Sequence, residues 1–394
     1  MRSLKILSLI VFLAGSVSAQ ILDQANWHPL ELGTGSRPLA MGQAFSALDD
    51  VNSNFYNPAG LAWSKGIVFN FRDADNLSVA QAFPSGKNSS IGLAVFSNKY
   101  NKLALTPTIE ASIASTAVSL GFGTKLTFIP ALANNVFFQK FALGLNFKSL
   151  MNQTLRQGGP DLSANGFDLD AGVLWKGGEW WNLGLTLENL LSANSLGGGV
   201  LKWNNGVNEE FPSSLKIAYS ARVMGDQNEP YYLEDRNLLI AGELVCKQNV
   251  PVMLRLGSEL GFNGKNFLRF GLSQQQKQDS VITGLSLGAG TRSEDWGADL
   301  ATYKDAVLDQ QVFSLSLLYF PKEWVVVEKL DSKKPSVIGE HPFDSLSIED
   351  NVITTDEKIM VGGKVKSGVT VYVNNEPVAL SADNTFNALV PLRV

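Results

Sequence analysis

The stretch that decides the reading is Leu32 to Ser64, LGTGSRPLAMGQAFSALDDVNSNFYNPAGLAWS. Glycines stand at Gly33, Gly35, Gly42 and Gly60, a small-residue run at Ala40, Ala44, Ser46 and Ala47, and an acidic pair at Asp49 and Asp50. Ala and Leu are good helix formers, so Gly42–Leu48 is expected to form one or two helical turns. Pro58 lacks a backbone donor and biases Asn57 away from the α region. Asn57-Pro58 followed by Gly60 reads as a turn.

Before this stretch, Met1–Ala19 has the three parts of a secretory signal: Arg2 and Lys5, the apolar run Ile6–Ala14, and the small-residue site Val17-Ser18-Ala19. The apolar run is shorter than the about 20 residues a spanning helix needs. Gln20 becomes the expected mature N-terminus, and no later stretch is long and apolar enough for a membrane helix.

After it, from Gly66 to Phe320, the dominant period is two. Phe141, Leu143, Leu145 and Phe147 alternate with Ala142, Gly144, Asn146 and Lys148. Phe167, Leu169, Ala171, Val173 and Trp175 alternate with Asp168, Asp170 and Gly172. The same pattern returns at Leu183–Leu187, Leu215–Val223, Leu268–Leu272 and Phe313–Tyr319. Such alternation gives each strand one apolar and one polar face. In a soluble sandwich the apolar face is the core; in a membrane barrel it faces lipid and the lumen is polar. Three features favour the barrel. The array holds about fourteen segments. Charges sit mid-strand at Asp168, Asp170, Glu188, Arg222, Glu243, Arg255, Glu259 and Arg269. Aromatics gather near strand ends at Trp175, Trp180, Trp181, Trp296, Tyr303, Tyr319 and Phe320, as interfacial girdles do. Only a closed barrel pairs every backbone group inside a bilayer. Gly- and Asn-rich turns punctuate the array, Asn263-Gly264 being a tight-hairpin signal. Asn98–Glu110, Lys125–Val136, Leu191–Glu210 and Asp226–Asn237 read as long loops.

Composition agrees. Only 18% of the 394 residues are charged, the formal charge is -5, and 36 glycines are scattered through the strands rather than pooled in a linker. Nothing basic points to nucleic acid. One cysteine, Cys246, excludes an internal disulfide. Two histidines, His28 and His341, both fall outside the strand array. No Ser/His/Asp arrangement, HExxH, CxxC or Walker motif is present. Gly284-Leu-Ser-Leu-Gly288 matches G-x-S-x-G but lies inside an alternating strand, where a nucleophile elbow has no place. The expectation is no enzyme, no cofactor and no metal.

Beyond the array, Trp324–Glu328 reads as a final or exit strand and 329–344 as a linker with Pro335 and Pro342. Residues 345–394 read as a small all-β unit, marginal for an independent core.

The opening stretch resembles the FadL-like outer-membrane barrels, nearest the PorV/PorQ/UPF0164 branch. That branch opens with G-x-R-x-x-x-M-G-x-A-F-x-A, then acidic and small residues, then Y-x-N-P-A-G-L-A. Here the matching residues are Gly35, Arg37, Met41, Gly42, Ala44, Phe45 and Ala47, then Asp49 and Asp50, then Tyr56, Asn57, Pro58, Ala59, Gly60, Leu61 and Ala62. The motif Asn182–Asn189 followed by Phe211-Pro212 resembles the middle of those barrels. The C-terminal unit resembles bacterial Ig-like modules, stopping mid-pattern at Val394. The resemblance implies an all-β protein: a barrel of about fourteen strands over 66–328, with residues 20–65 folded inside it as a hatch. It implies placement in the outer membrane of a Gram-negative-type bacterium, among outer-membrane lipid. It also implies movement of a hydrophobic small-molecule ligand along the lumen or, as an alternative, holding of exported protein cargo in type IX secretion. A secreted adhesin or carbohydrate-binding β-protein is the third reading. Arg37 is expected to pair with a lumen carboxylate and fix the hatch. Asp49 and Asp50 are expected in a solvated turn or against lumen arginines.

Overall fold

The computed structural model describes residues 33–321 with short gaps (73–75, 107–108, 134, 157–160, 192–194, 226–228, 234, 249–250, 278–279, 306–309), and 343–346, 358–365, 371–373 and 376–391. The signal segment, the first part of the 20–65 hatch and Trp324–Glu328 lie outside the described residues. The chain divides into two compact units, Met1–Val326 and Val327–Val394.

The first unit is a closed antiparallel barrel. Its strands are β1 (Gly66–Arg72), β2 (Asn76–Pro84), β3 (Ser89–Thr106), β4 (Ile109–Lys125), β5 (Phe141–Arg156), β6 (Leu162–Trp175), β7 (Trp181–Glu188), β8 (Val200–Trp203), β9 (Asn208–Glu210), β10 (Ser214–Gly225), β11 (Tyr231–Tyr232), β12 (Arg236–Lys247), β13 (Met253–Phe262), β14 (Asn266–Lys277), β15 (Ser280–Arg292), β16 (Trp296–Asp305) and β17 (Gln310–Tyr319). Fourteen form the wall, each beside its sequence neighbour; β8, β9 and β11 are short additions. The wall closes because β1 pairs with β2 on one side and with β17 on the other, Ile67 opposite Tyr319 through Arg72 opposite Ser314. Closure leaves the fourteen-strand wall without an edge strand.

One of the expected long loops is largely strand, and a second carries two short strands. β3 and β4 run on through Asn98–Glu110, leaving only 107–108 between them, because the ladder continues from Asn98–Ser115 to Thr106–Ile109. Within 191–210 the chain folds back on the wall: β8 pairs with β6 (Ala164–Trp203 to Gly166–Leu201), and β9 pairs with β8. In 125–136 the chain makes short helical turns, Leu126–Phe128 and Pro130–Ala133. At the 263–264 hairpin both Asn263 and Gly264 have positive φ (51° and 62°), the geometry that Asn-Gly favours.

Closure settles which face is outside. The apolar row is exposed: Phe69, Phe71, Leu93, Val95, Leu120, Phe122, Leu143, Leu145, Leu185, Ile217, Leu256, Phe270, Leu287 and Phe313 all face outward around the wall. The polar row is buried in the lumen, with Asp168, Asp170, Glu243, Glu259, Arg269 and Asp299 all under a tenth exposed. This inverts the soluble pattern and is the arrangement of a barrel whose solvent is lipid. No helix among the described residues is long and apolar enough to cross a membrane.

Part of the expected girdle is outside: Phe141 stacks on Trp175 (5.3 Å between centroids), Trp175 meets Trp181 (5.1 Å), and Trp296 and Tyr319 are half exposed. Tyr303 and Phe320 are not girdle residues. Tyr303 is buried on the luminal face, where its hydroxyl accepts from Arg72 Nη1. Phe320 packs on the buried cluster of Val51, Leu61, Val68 and Leu318. Trp180 lines a cavity at the luminal mouth.

The second unit has a three-stranded antiparallel sheet, β18 (Phe343–Leu346), β19 (Lys358–Val365) and β22 (Thr385–Pro391), and a hairpin of β20 (Val371–Val373) and β21 (Glu376–Val378).

Candidate functional site: the hatch and the lumen

Residues 33–65 lie in the lumen as a chain of short turns. The helical turn falls at Ser36–Ala40, one step before the 42–48 expected from propensity. It ends because Gly42 and Gln43 both take positive φ (62° each), which stops a right-handed helix. Gly42 is also in tight contact with the wall: a Cβ there would lie 2.6 Å from the Leu272 carbonyl oxygen and 2.7 Å from that of Leu256. Two 3-10 turns follow. In Val51–Phe55, the Asn52 amide donates to Asp50 Oδ1 (2.6 Å) and the Asp50 amide donates to Ser53 Oγ (3.1 Å), a capping box. In Pro58–Trp63, Asn57 caps the Ala59 amide and Pro58 occupies the first position, where a missing N–H costs nothing.

The glycines of the wall form the bed on which the hatch rests. Methyl groups on Gly123, Gly144 or Gly172 would collide with Asn57–Ala62. One on Gly184 would strike Ser46, and those on Gly257 or Gly271 would strike Met41 and Gly42. Hatch backbone therefore lies directly against strand backbone. This gives the Asn57-Pro58-Ala59-Gly60 turn its place. Ala59 and Asn57 are fully buried, and Asn57 Nδ2 donates to the carbonyls of Ser46 (2.7 Å) and Val173 (3.1 Å). Met41 and Phe45 are buried in one cluster with Tyr56, Leu239 and Ala241, and Phe45 meets the Tyr56 ring at 5.3 Å. Gly35 has φ 86° and abuts Asn52, and Gly60 abuts Ser53.

Charge ties the hatch down. Arg37 donates to both Glu259 oxygens (Nε–Oε2 2.8 Å, Nη2–Oε1 2.9 Å) and to Asp50 Oδ2 (3.3 Å). Arg269 donates to Glu259 Oε2 (2.6 Å) and Asp299 Oδ1 (2.7 Å), and Arg292 closes a fork on Asp299 (2.8 and 2.6 Å). The result is an alternating row, Asp50–Arg37–Glu259–Arg269–Asp299–Arg292, reaching from the hatch across β13, β14, β15 and β16. Burial alone would lower the Arg37 pKa; Glu259 and Asp50 outweigh it, so the guanidinium is held above its ordinary value. Burial pushes the Asp50 carboxyl up, with Arg37 opposing. A second anchor is Glu243, which accepts from the Ser46 amide (3.0 Å) and from Arg255 (3.0 Å). Asp49 pairs with Lys176 (3.2 Å), whose ammonium lies 4.4 Å over the Trp63 ring. Glu243, Glu259 and Arg269 were legible as inward charges; their assignment to hatch residues was not, because sequence spacing carries no information across about 200 positions.

Two regions of lumen flank the hatch. At the strand ends that carry 176–182, 220–225 and 263–267, a polar cavity of about 700 Å³ is lined by Arg37, Asp49, Lys176, Glu179, Arg222, Asp235 and Arg236, among others. Farther along the strands, against Phe55 of the hatch, the luminal side chains turn apolar: Phe96, Ala117, Leu150, Ala164, Leu201 and Phe211 form one buried cluster, with Trp203 packed on it. No group of three His, Cys, Asp or Glu that could hold a metal occurs among the described residues. Gly284–Gly288 lies within β15, with no strand-to-helix turn.

No family model and no curated protein matches the sequence. Among solved structures the chain is similar to the CymD monoaromatic hydrocarbon channel (TM-score 0.53, 11% identity, 74% of this chain and 98% of that one). It is similar also to the toluene transporter TbuX of Ralstonia pickettii (TM-score 0.50, 12% identity, 74% and 99%). A FadL homologue of Pseudomonas aeruginosa superposes with a TM-score of 0.47 at 11% identity. At these identities the first two likenesses establish the fold.

Proposed function

We propose that this chain is an outer-membrane channel for small hydrophobic molecules, closed at rest by its hatch. The observation that carries this is the apolar luminal cluster around Phe96, Leu150, Leu201 and Phe211, with Phe55 of the hatch packed on it. A water channel has no use for an apolar luminal cluster packed shut by its hatch, whereas an apolar solute would partition into that zone once Phe55 moves aside. The two neighbours of like fold, named for a monoaromatic hydrocarbon and for toluene, agree with this class of solute. Export and outer-membrane placement are supported by the signal-like Met1–Ala19 and by the exposed apolar wall. The motif residues Gly35 to Ala62 support membership of the PorV/UPF0164 branch.

The test is purification of the full-length protein from outer membranes in mild detergent, followed by mass spectrometry of what accompanies it and by uptake of an apolar solute into cells. Bound apolar small molecules, lost together with uptake in Phe96→Asp, support the channel. Exported proteins in their place, with uptake indifferent to Phe96→Asp, would support the cargo-holding alternative.

A further inference from the structure

The connection between β4 and β5 is unusually apolar for a barrel loop. Residues 126–139, LTFIPALANNVFFQ, contain no charged side chain, while Lys125 and Lys140 stand at the two ends. A 14-residue loop in water is ordinarily polar; this one carries four large hydrophobics and three phenylalanines, counting Leu126, Ile129, Leu132 and Val136 with Phe128, Phe137 and Phe138. It is folded rather than extended, into short turns at Leu126–Phe128, Pro130–Ala133 and Val136–Gln139. The Ile129, Leu132 and Gln139 amides donate within the segment, and Asn135 Oδ1 accepts from the Phe137 amide. These amides are thus satisfied locally, which lowers the cost of entering an apolar medium. Yet Phe128 and Phe137 are 54% and 52% exposed.

Continuity says what covers them. Phe137 lies 4.9 Å from Phe141 and 5.7 Å from Trp175, and the row goes on through Trp181 to Tyr219. The outward residues of the flanking strands, Phe122 and its ladder partner Leu145, belong to the exposed apolar wall. We infer that the described residues of 126–139 lie in the lipid interface, at the end of the barrel that carries 176–182 and 263–267, as a monotopic anchor with Phe128 and Phe137 among the acyl chains. Short apolar turns without a charge suit that depth, and the lysine at one end leaves it free of charge, because the Lys125 ammonium turns inward to lie 5.7 Å over the Trp63 ring of the hatch. The inference rests on the membrane-barrel reading and adds an element that strand counting leaves outside the bilayer.

The experiment places single cysteines, in a Cys246→Ala background, at Phe128→Cys, Phe137→Cys, Leu145→Cys on the wall and Lys265→Cys in an exposed turn at the same end. Each is labelled with an environment-sensitive fluorophore and reconstituted in vesicles of phosphatidylethanolamine and phosphatidylglycerol. The expected result is strong quenching at 128 and 137 by phospholipids spin-labelled near the headgroup, and several-fold less quenching by aqueous iodide than at 265. Iodide quenching at 128 and 137 equal to that at 265, with 145 still quenched by lipid, overturns the anchor while leaving the barrel reading intact. Loss of lipid quenching at 145 as well would sink the membrane reading itself.

Discussion

Arg37 and Glu259 stand 222 positions apart in the chain and form a two-pronged ion pair in the lumen, with Arg269 sharing the same carboxylate. One residue belongs to the hatch and the other to the wall, so this pair joins the two parts of the barrel. Its consequences can be measured by heat or urea unfolding in lipid, and by protease access to residues 33–65.

Removing one partner of a buried pair leaves the other uncompensated, at about 3–5 kcal/mol. Arg37→Ala leaves Glu259 with Arg269, so the loss is expected near the lower end, with the hatch becoming protease-sensitive before the wall unfolds. Glu259→Ala takes a carboxylate from two arginines at once, leaving Arg37 with Asp50 and Arg269 with Asp299, and is expected to cost more. An Arg37→Ala protein with unchanged unfolding and protease access would show that the pair holds nothing.

The glycine bed makes a sharper distinction. Gly144→Ala puts a methyl into the backbone of Pro58 and Ala59, which cannot move aside as a flexible side chain would. The expected outcome is an intact barrel with a displaced hatch, read as increased leak of small polar solutes. Gly242→Ala meets only Leu256 Cδ2 at 3.6 Å and serves as the control, with no leak. Equal behaviour of the two variants would mean that the hatch does not depend on close backbone approach.

Asn57 donates to two carbonyls and caps Ala59. Asn57→Ala removes these bonds and leaves the buried Ala59 amide without its cap, at about 1–3 kcal/mol. Asn57→Asp keeps the cap but turns a carboxylate toward the Ser46 and Val173 oxygens, so it is expected to destabilise more than the alanine despite its closer shape. The reverse order in unfolding midpoints would refute the hydrogen-bond assignment.

Burial raises the Asp50 carboxyl against the pull of Arg37, so hatch docking is expected to depend on pH. The folded state holds this proton more tightly than the unfolded chain, so this group's contribution falls as pH rises from the usual carboxylate range toward neutrality. Asp50→Asn retains a capping oxygen for Asn52 and cannot titrate. The difference in unfolding midpoint, native minus Asp50→Asn, is therefore expected to shrink with rising pH. A difference that grows would mean that the Arg37 attraction outweighs burial.

Much of this was readable in advance. Period-two alternation at Phe141–Lys148 and Phe167–Trp175 depends only on backbone pleating, and it assigned faces correctly. The Asn263-Gly264 turn follows from local φ preference alone. The helical turn was misplaced because propensity at 42–48 was outweighed by the packing of Gly42 against the Leu256 and Leu272 carbonyls. The expectation of a loop at 98–110 rests on its Asn, Lys and Pro residues, whereas the long ladder between β3 and β4 satisfies the backbone whatever the side chains.

The sequence by itself determined which residues share a face, where turns fall, and that Arg37, Gly42 and Asn57-Pro58-Ala59-Gly60 belong to one motif, since these are properties of neighbours along the chain. Only the tertiary structure decided which face looks outward and which carboxylate Arg37 meets. Closure of β1 on β17 turns the apolar rows outward and the charged rows in, and folding the N-terminal segment into that lumen brings Arg37 to Glu259. Both depend on contacts between residues hundreds of positions apart, which alternation, being local, does not record.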